Sequence, residues 1–230
     1  MIMTCNSILS DHSAIVRLFY YLCEGGASMP RVVAYDRQDC LEKAMTLFWQ
    51  KGFHGTTLKD IEHTLNMRPG SIYAAFGNKE SLYSQALDLY AGTIGRGFLE
   101  KLKEKGTPLE GLADYVHELG NLRDINPPSR ACMLVKGLLE TGDETPALQR
   151  KIETRLADME RIFRQAFTEA HEAGQIRDPD LSAHQPDRLA RRLQCEVMGL
   201  RAFAQRSGDQ EELKLLAEDI AQSLLSMQAE

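Results

Sequence analysis

Residues 66–83 read NMRPGSIYAAFGNKESLY, and the reading of that stretch decides the fold. Pro69 and Gly70, the two poorest helix formers, stand before a compact Ile-Tyr-Ala-Ala-Phe cluster in a chain otherwise patterned for amphipathic helices. Proline is harmless at the first position of a helix, where its missing N–H would have had no intrahelical partner. Glycine beside it leaves the backbone open to an approaching group. The stretch predicts a short helix from about Pro69 to Gly77, with Asn66 in the left-handed conformation that turns the chain out of the element before it.

Upstream, Leu41, Ala44, Met45 and Phe48 recur at helical spacing, and Lys51-Gly52 supplies a helix end. This predicts a first helix over 37–51. Thr56-Thr57 supplies an N-cap for a second, over 57–64, with Asp60 in its first turn and Leu58, Ile61 and Leu65 on its apolar side. Leu65-Asn66-Met67 is then a three-residue turn. Downstream, Asn78 caps a long helix over 79–104 whose buried side carries Leu82, Ala86, Leu89, Phe98 and Leu102. Further helices are expected over 107–124, 129–140, 145–173, 183–207 and 210–228, giving nine helices and no strand-like alternation. The predicted fold is all-α.

The chain has 230 residues, 43% hydrophobic and 26% charged, which describes an ordinary folded protein. Its net charge of −6 excludes broad, charge-driven binding to nucleic acid, so any DNA contact must be local. The apolar run Ile15 to Leu22 is interrupted by Arg17 and is far short of the roughly 20 residues that span a membrane. It also lacks the basic start and cleavage site of a secretory signal, so a cytoplasmic protein is expected, without a membrane segment. Five cysteines at 5, 23, 40, 132 and 195 show neither disulfide-frame nor zinc-site spacing. Free thiols are expected, with no metal and no cofactor. Residues 1–35 differ in composition from the rest. They are either an N-terminal extension with a short helix over 13–23, or residues upstream of a natural start at Met29.

Two short helices joined by a three-residue turn form a helix-turn-helix, whose second helix enters the DNA major groove. Ile72 and Phe76, four apart, point inward, which leaves Ser71, Ala74 and Ala75 outward or at the edge. Small residues at Pro69-Gly70-Ser71 let the backbone approach bases and phosphates. Tyr73 offers a phenolic donor to a phosphate, Thr57 a hydroxyl at the second helix's start, and Lys79 a charge at the start of the fourth.

Phe48, Lys51-Gly52-Phe53, Thr56-Thr57, Ile61, Pro69-Gly70-Ser71-Ile72-Tyr73, Phe76, Lys79 and Leu82 together resemble the N-terminal domain of the TetR family of bacterial transcription regulators. The resemblance covers about residues 37–83. It implies a DNA-binding domain at 36–83, a ligand-binding and dimerisation domain at 84–230, and a homodimeric repressor that leaves a pseudo-palindromic operator on meeting a small effector. It places Thr57, Tyr73 and Lys79 on phosphates and Arg68, Pro69, Gly70, Ser71 and Ala74 near bases, with Thr56 also counted as DNA-binding. Two departures stand out. Ala74-Ala75 occupy positions where many members carry aromatic or histidine residues, so few polar base readers remain, and Asn66 replaces the commoner glycine of the turn.

Ser129 reads as a cap for the 129–140 helix, which sets Cys132 in the first turn, where the helix dipole with Arg130 and Lys136 would favour a thiolate. The segment resembles the helix start of electrophile- and oxidant-sensing TetR-family members, and implies release by modification of Cys132. A packed core cysteine is the alternative, and Cys40 and Cys195 are read as packing residues. Leu189, Leu193 and Val197, with Leu213, Leu216, Ile220 and Leu224, form two apolar stripes. The resemblance assigns them to a four-helix interface between subunits. Phe98, Tyr115, His117, Met133, Phe163 and Phe167 are candidates to line an effector cavity. Two other functions remain: an all-α thiol enzyme acting on electrophiles through Cys132, and a helical carrier. The carrier has no use for the cap, the turn or Tyr73.

Overall fold

The computed structural model describes residues 35–104, 106–125, 127–142, 144–176 and 186–228. The expectations for residues 1–34, including the helix over 13–23 and Cys5 and Cys23, lie outside the described residues. The described part is all-α, as the periodicity predicts.

Helix α1, Arg37–Lys51, begins where the Asp36 carboxylate accepts from the N–H groups of Gln38 and Asp39, and ends at Gly52 with φ 78°. Helix α2, Leu58–Leu65, is capped by Thr57 in a reciprocal capping box with Asp60 and closed by Asn66 at φ 50°. Helix α3, Pro69–Phe76, has its proline in the first turn and ends at Gly77 with φ 83°. Helix α4, Lys79–Glu104, starts after Asn78, whose side chain accepts from Ser81 N at 2.7 Å. These boundaries follow the sequence closely because each is set by a local device.

Beyond α4 the pattern departs from expectation. The single helix expected over 107–124 is broken into α5, Pro108–Leu119, and a short α6, Leu122–Ile125. At the break, a Cβ on Gly120 would lie 3.0 Å from Ala217 Cβ, so the glycine admits a later helix at close range. The helix expected over 129–140 is shorter: α7 spans Met133–Glu140, with Cys132 as its N-cap. Ser129 does not cap it. The Gln205 amide lies 2.6 Å from Ser129 Oγ and, with its oxygen toward the 129–131 turn, accepts from the N–H groups of Arg130 and Ala131 at 3.2 and 2.7 Å. Those bonds hold residues 129–131 out of helical geometry. Helices α8, Pro146–Glu172, α9, Pro186–Phe203, and α10, Gln210–Leu225, complete ten helices among the described residues.

Two apolar cores result. Beneath the short helices, Phe48, Phe53, Ile61, Leu65, Ile72, Phe76 and Leu82 are buried around Tyr83, whose ring centroid lies 4.9 Å from Phe48 and 5.0 Å from Phe53. The larger core, from α4 to α10, is centred on Leu112, Val116, Phe163, Phe167, Leu193 and Leu213. Leu89, expected on the buried side of α4, is only partly covered. Tyr83, Leu87 and Tyr90 are the buried residues there.

Candidate DNA-reading helix and its ties to the rest of the chain

The second helix of the helix-turn-helix is anchored by few groups and open elsewhere. Ile72 and Phe76 are both 3% exposed and hold α3 to α1 and α4. Arg68, Gly70, Ser71, Tyr73 and Ala74 are exposed, and Pro69 and Ala75 partly so. A Cβ on Gly70 would meet nothing within 4 Å, so no intramolecular packing requires a glycine there. The open start of α3 is instead what a groove-approaching backbone needs.

Lys79 sits with Nζ 4.6 Å from the Phe53 ring centroid, and partial burial lowers its pKa. Thr57 is exposed, but its hydroxyl already donates to Asp60 Oδ2 at 2.8 Å and accepts from Asp60 N at 3.2 Å. The Lys51 ammonium, 2.6 Å from Asp60, and the Thr57 bonds hold the Asp60 carboxyl well below the usual carboxylate range. Thr56 is fully buried, its hydroxyl donating to Gly52 O at 2.6 Å. A side-chain contact from Thr56 to DNA is therefore ruled out, and its role is to fasten the α1–α2 turn. Arg37, absent from the sequence reading, lies with Cζ 5.1 Å from the Phe76 ring centroid, at the C-terminal end of α3. Only the fold brings it there.

The α1–α2 turn is gripped from outside the helix-turn-helix unit. Lys136 Nζ donates to the carbonyls of Trp49 and Gln50 at 2.8 and 3.0 Å, satisfying acceptors left over at the end of α1. Glu140 accepts from the N–H groups of Phe53 and His54, and its carbonyl lies 2.8 Å from His54 Nε2. Gly52 is needed twice: its φ is positive, and a Cβ there would overlap the Glu140 carboxylate. Trp49 Nε1 donates to Ala131 O at 2.7 Å, just before α7. One short helix and the strap before it thus hold the DNA-reading unit.

Lys136 is therefore turned away from the role expected of it beside Cys132. Cys132 is 6% exposed and packs against the Tyr90 hydroxyl. Cys40 is buried as expected, whereas Cys195 is exposed rather than packed.

Between α4, α5 and α8 lies a cavity of about 300 Å³. Phe98, Tyr115 and Phe163 line it, with Leu134 of α7, while Asp88, Arg155 and Asp158 are also among its lining residues. Three expected lining residues are elsewhere. His117 faces outward and pairs with Glu218 at 2.7 Å, and Met133 and Phe167 are closed core. The two late stripes are also corrected. Leu189, Leu193, Val197, Leu213 and Leu224 are buried in the chain's own core, with Ile220 packed on it and Leu216 39% exposed. The outer side of α9 instead carries Cys195, Met198, Gly199 and Ala202, and that of α10 carries Leu215 and Leu216.

A helix-turn-helix with an open second helix, tied by α7 to an all-α body containing a cavity, defines the class of DNA-binding regulators. Comparison with known proteins identifies the family. A profile described as bacterial regulatory proteins, tetR family, matches residues 41–86. The chain is 27% identical over 192 residues to the HTH-type transcriptional repressor ComR of Escherichia coli K12, covering 83% of this chain and 89% of that protein. It is similar to the TetR family transcriptional regulator CifR, solved as a cysteine mutant with 26bp double-strand operator DNA, at 28% identity and a TM-score of 0.73, covering 85% of this chain and 99% of that one. A TetR family regulator from Cytophaga hutchinsonii shares the fold at 21% identity and a TM-score of 0.73, covering 84% and 95%. Residues 41–86 thus carry the N-terminal domain of the tetR family, and the chain is similar over most of its length to TetR-family transcriptional regulators. It is not an enzyme, which removes the thiol-enzyme alternative.

Because Glu140 closes two backbone N–H groups of the α1–α2 turn, Glu140→Ala leaves the buried one on Phe53 unsatisfied. The expected cost is about 1–3 kcal/mol, read from urea denaturation. Unchanged stability would mean the turn does not depend on α7.

Proposed function

We propose that this protein is a homodimeric repressor that binds a pseudo-palindromic operator through α3 and leaves it when a small effector occupies the cavity between α4, α5 and α8. The open N-terminal face of α3, Arg68 to Ala74, carries the DNA half of this reading. It is supported by the similarity to ComR, a repressor, and to CifR, described on operator DNA. In this reading residues 36–83 read the DNA and residues 84–230 bind the effector and the second subunit. Tyr73 and Lys79 take phosphates, with Thr57 joining if its hydroxyl turns from Asp60. Arg68 and the backbone of Pro69-Gly70-Ser71 approach the bases.

Release follows from the grip of α7. Leu134 lines the cavity, and Lys136 and Glu140 on the same helix hold the α1–α2 turn. An effector that prefers a shifted α7 loosens the geometry in which two α3 helices span successive half-sites. Modification of Cys132 is a second route, favoured by its place as N-cap of α7 beside the Ala131–Trp49 bond. The no-membrane expectation fits this role, and no described helix is long and apolar enough to cross a membrane.

The second subunit is assigned to the outer faces of α9 and α10. Cys195, Gly199 and Ala202 present a small-residue surface, and a Cβ on Gly199 would meet nothing within 4 Å in the protomer. Leu215, 58% exposed, and Leu216 lie on α10, which Arg192 joins to α9 through Ser223 at 3.0 Å. Two exposed leucines beside a glycine and an alanine form a surface suited to close helix packing.

Three measurements test this function. With DNA from the protein's own upstream region, Tyr73→Phe should weaken binding with little change in the salt slope, whereas Lys79→Ala should weaken it and lower the magnitude of the slope by about one. Unchanged affinity and slope in the double variant would sink the assignment. Gly199→Arg with Ala202→Arg should give a folded monomer by light scattering and abolish operator binding; a persistent dimer would move the interface elsewhere. Complete alkylation of Cys132 in a variant lacking the other cysteines should release DNA if the second route operates, and full operator binding after modification would end it.

A further inference from the structure

Arg201, on α9, is 7% exposed. Its Nη2 lies 3.5 Å from the Tyr90 hydroxyl, the outer limit of a hydrogen bond, and its Nε has no partner. Among the described residues no carboxylate pairs with it. The region does not lack acids: Arg155 and Arg164 on α8, and Arg191 and Arg192 on α9, each reach one within 3.2 Å. A guanidinium stays charged at any pH the protein survives and carries five donors. Buried and unpaired, it is destabilising.

Its surroundings point toward the cavity. Tyr115 lines the cavity and feels the Arg201 charge. Its ring packs on Phe98 and Phe163, at 4.7 and 6.2 Å between centroids. Burial pushes its hydroxyl up to about 12, with the Arg201 charge acting the other way. Tyr90, the hydroxyl nearest Arg201, stacks edge-on with Trp49 of α1 at 5.0 Å. An anion at Arg201 would therefore lie two aromatic rings from the DNA-reading unit.

We propose that Arg201 is the anion-recognition group of the effector site, taking the carboxylate of a small aromatic acid whose ring lies in the cavity beside Phe98, Tyr115 and Phe163. This rests on reading that cavity as the effector site. Neither Arg201 nor Tyr90 lines the cavity, so the acid engages the guanidinium only as the Tyr115 side chain moves, and the Tyr90 hydroxyl beside Arg201 completes the carboxylate's bonds. The volume, near the lower limit for ligand sites, suits a single ring with a short acid arm.

The test uses the full-length protein, with benzoate, phenylacetate and cinnamate as probes and the matching amides as neutral controls. Binding is measured by calorimetry and by the fluorescence of Trp49, the only tryptophan. At least one acid should bind, and at least tenfold more tightly than its amide. Arg201→Met should lose that tenfold for the acid and nothing for the amide. Without ligand it should raise the thermal midpoint, by about 2 to 4 °C for each kcal/mol of relieved charge burial. If Arg201→Met fails to fold, Arg201→Lys keeps the charge without the planar fork and should still weaken the acid.

Three results would overturn the proposal: no acid binding at millimolar concentration, equal binding of acids and amides, or a lowered thermal midpoint in Arg201→Met. Cys132→Ser should leave acid binding intact, and its loss there would make Arg201 the counter-ion of a thiolate instead. Operator affinity of the unliganded protein is recorded alongside. A protein that binds operator but no acid overturns this inference alone, whereas one that binds acid but no operator overturns the repressor reading.

Discussion

The structure depends on how the end of α1 is closed. A helix leaves its last carbonyls without intrahelical partners, and the turn that follows carries N–H groups needing acceptors of their own. Here both sets are satisfied from outside the DNA-reading unit, by the Lys136 ammonium on the carbonyls of Trp49 and Gln50 and by the Glu140 carboxylate on the N–H groups of Phe53 and His54. The donor and the acceptor stand four residues apart on one face of α7, a single turn of helix. A charge of each sign is matched to backbone of the opposite polarity. Partial burial of Lys136 lowers its pKa, and the neighbouring Glu140 opposes that shift. The orientation of α1, and through Phe48 and Tyr83 the seat of α3, is thus fixed by a helix outside the helix-turn-helix unit.

That arrangement makes the proposed release a matter of packing rather than distance. Leu134 faces the cavity from α7, and a Cβ on Gly137 would lie 2.6 Å from the Tyr83 hydroxyl and 2.9 Å from Ile152, so α7 lies close on α4 and α8. A helix packed that closely has few positions available, and a ligand biases the choice among them only through its differential affinity. The Tyr83 hydroxyl under Gly137 is buried without a hydrogen bond, and burial raises its pKa. The resting contact between α7 and α4 is therefore polar and unsatisfied at its centre. Such a contact costs little to disturb compared with the apolar core around it.

The sequence disclosed what local chemistry decides. Pro69 at the first turn, Asn66 in the left-handed region, the Thr57–Asp60 box and the Asn78 cap each act over three or four residues, and α1 to α4 begin and end where those devices place them. What escaped was decided across the fold. Gly120, where α5 ends, lies against Ala217, and residues 129–131 stay non-helical where Gln205 holds the N–H groups of Arg130 and Ala131. Neither partner is within 70 residues in the chain. Periodicity correctly grouped Leu189, Leu193 and Val197 on one face, but it cannot say whether a face meets its own protomer or another. Large aliphatic side chains went to the interior, and the outer side of α9 was left to Cys195, Gly199 and Ala202, too small to register as a stripe. Phe98, Tyr115 and Phe163 were legible as cavity residues because aromatic rings on neighbouring helices converge. His117 was misplaced because one step around α5 separates the cavity from the surface.

Arg201 shows how a misfit in a pattern carries more information than the pattern. Counted from Leu189 through Leu193 and Val197, the next position at four-residue spacing is Arg201, a charge where the stripe demands an aliphatic side chain. Natural sequences keep such violations where function compensates the lost stability. On a subunit interface, where the spacing alone would allow the stripe, an arginine at this position is an ordinary edge residue. In the protomer core the same residue is a buried cation beside the Tyr90 hydroxyl, with no carboxylate partner among the described residues. The inward stripe and the proposed anion group therefore share one cause: the packing that puts the leucines in the protomer core obliges Arg201 to be there as well.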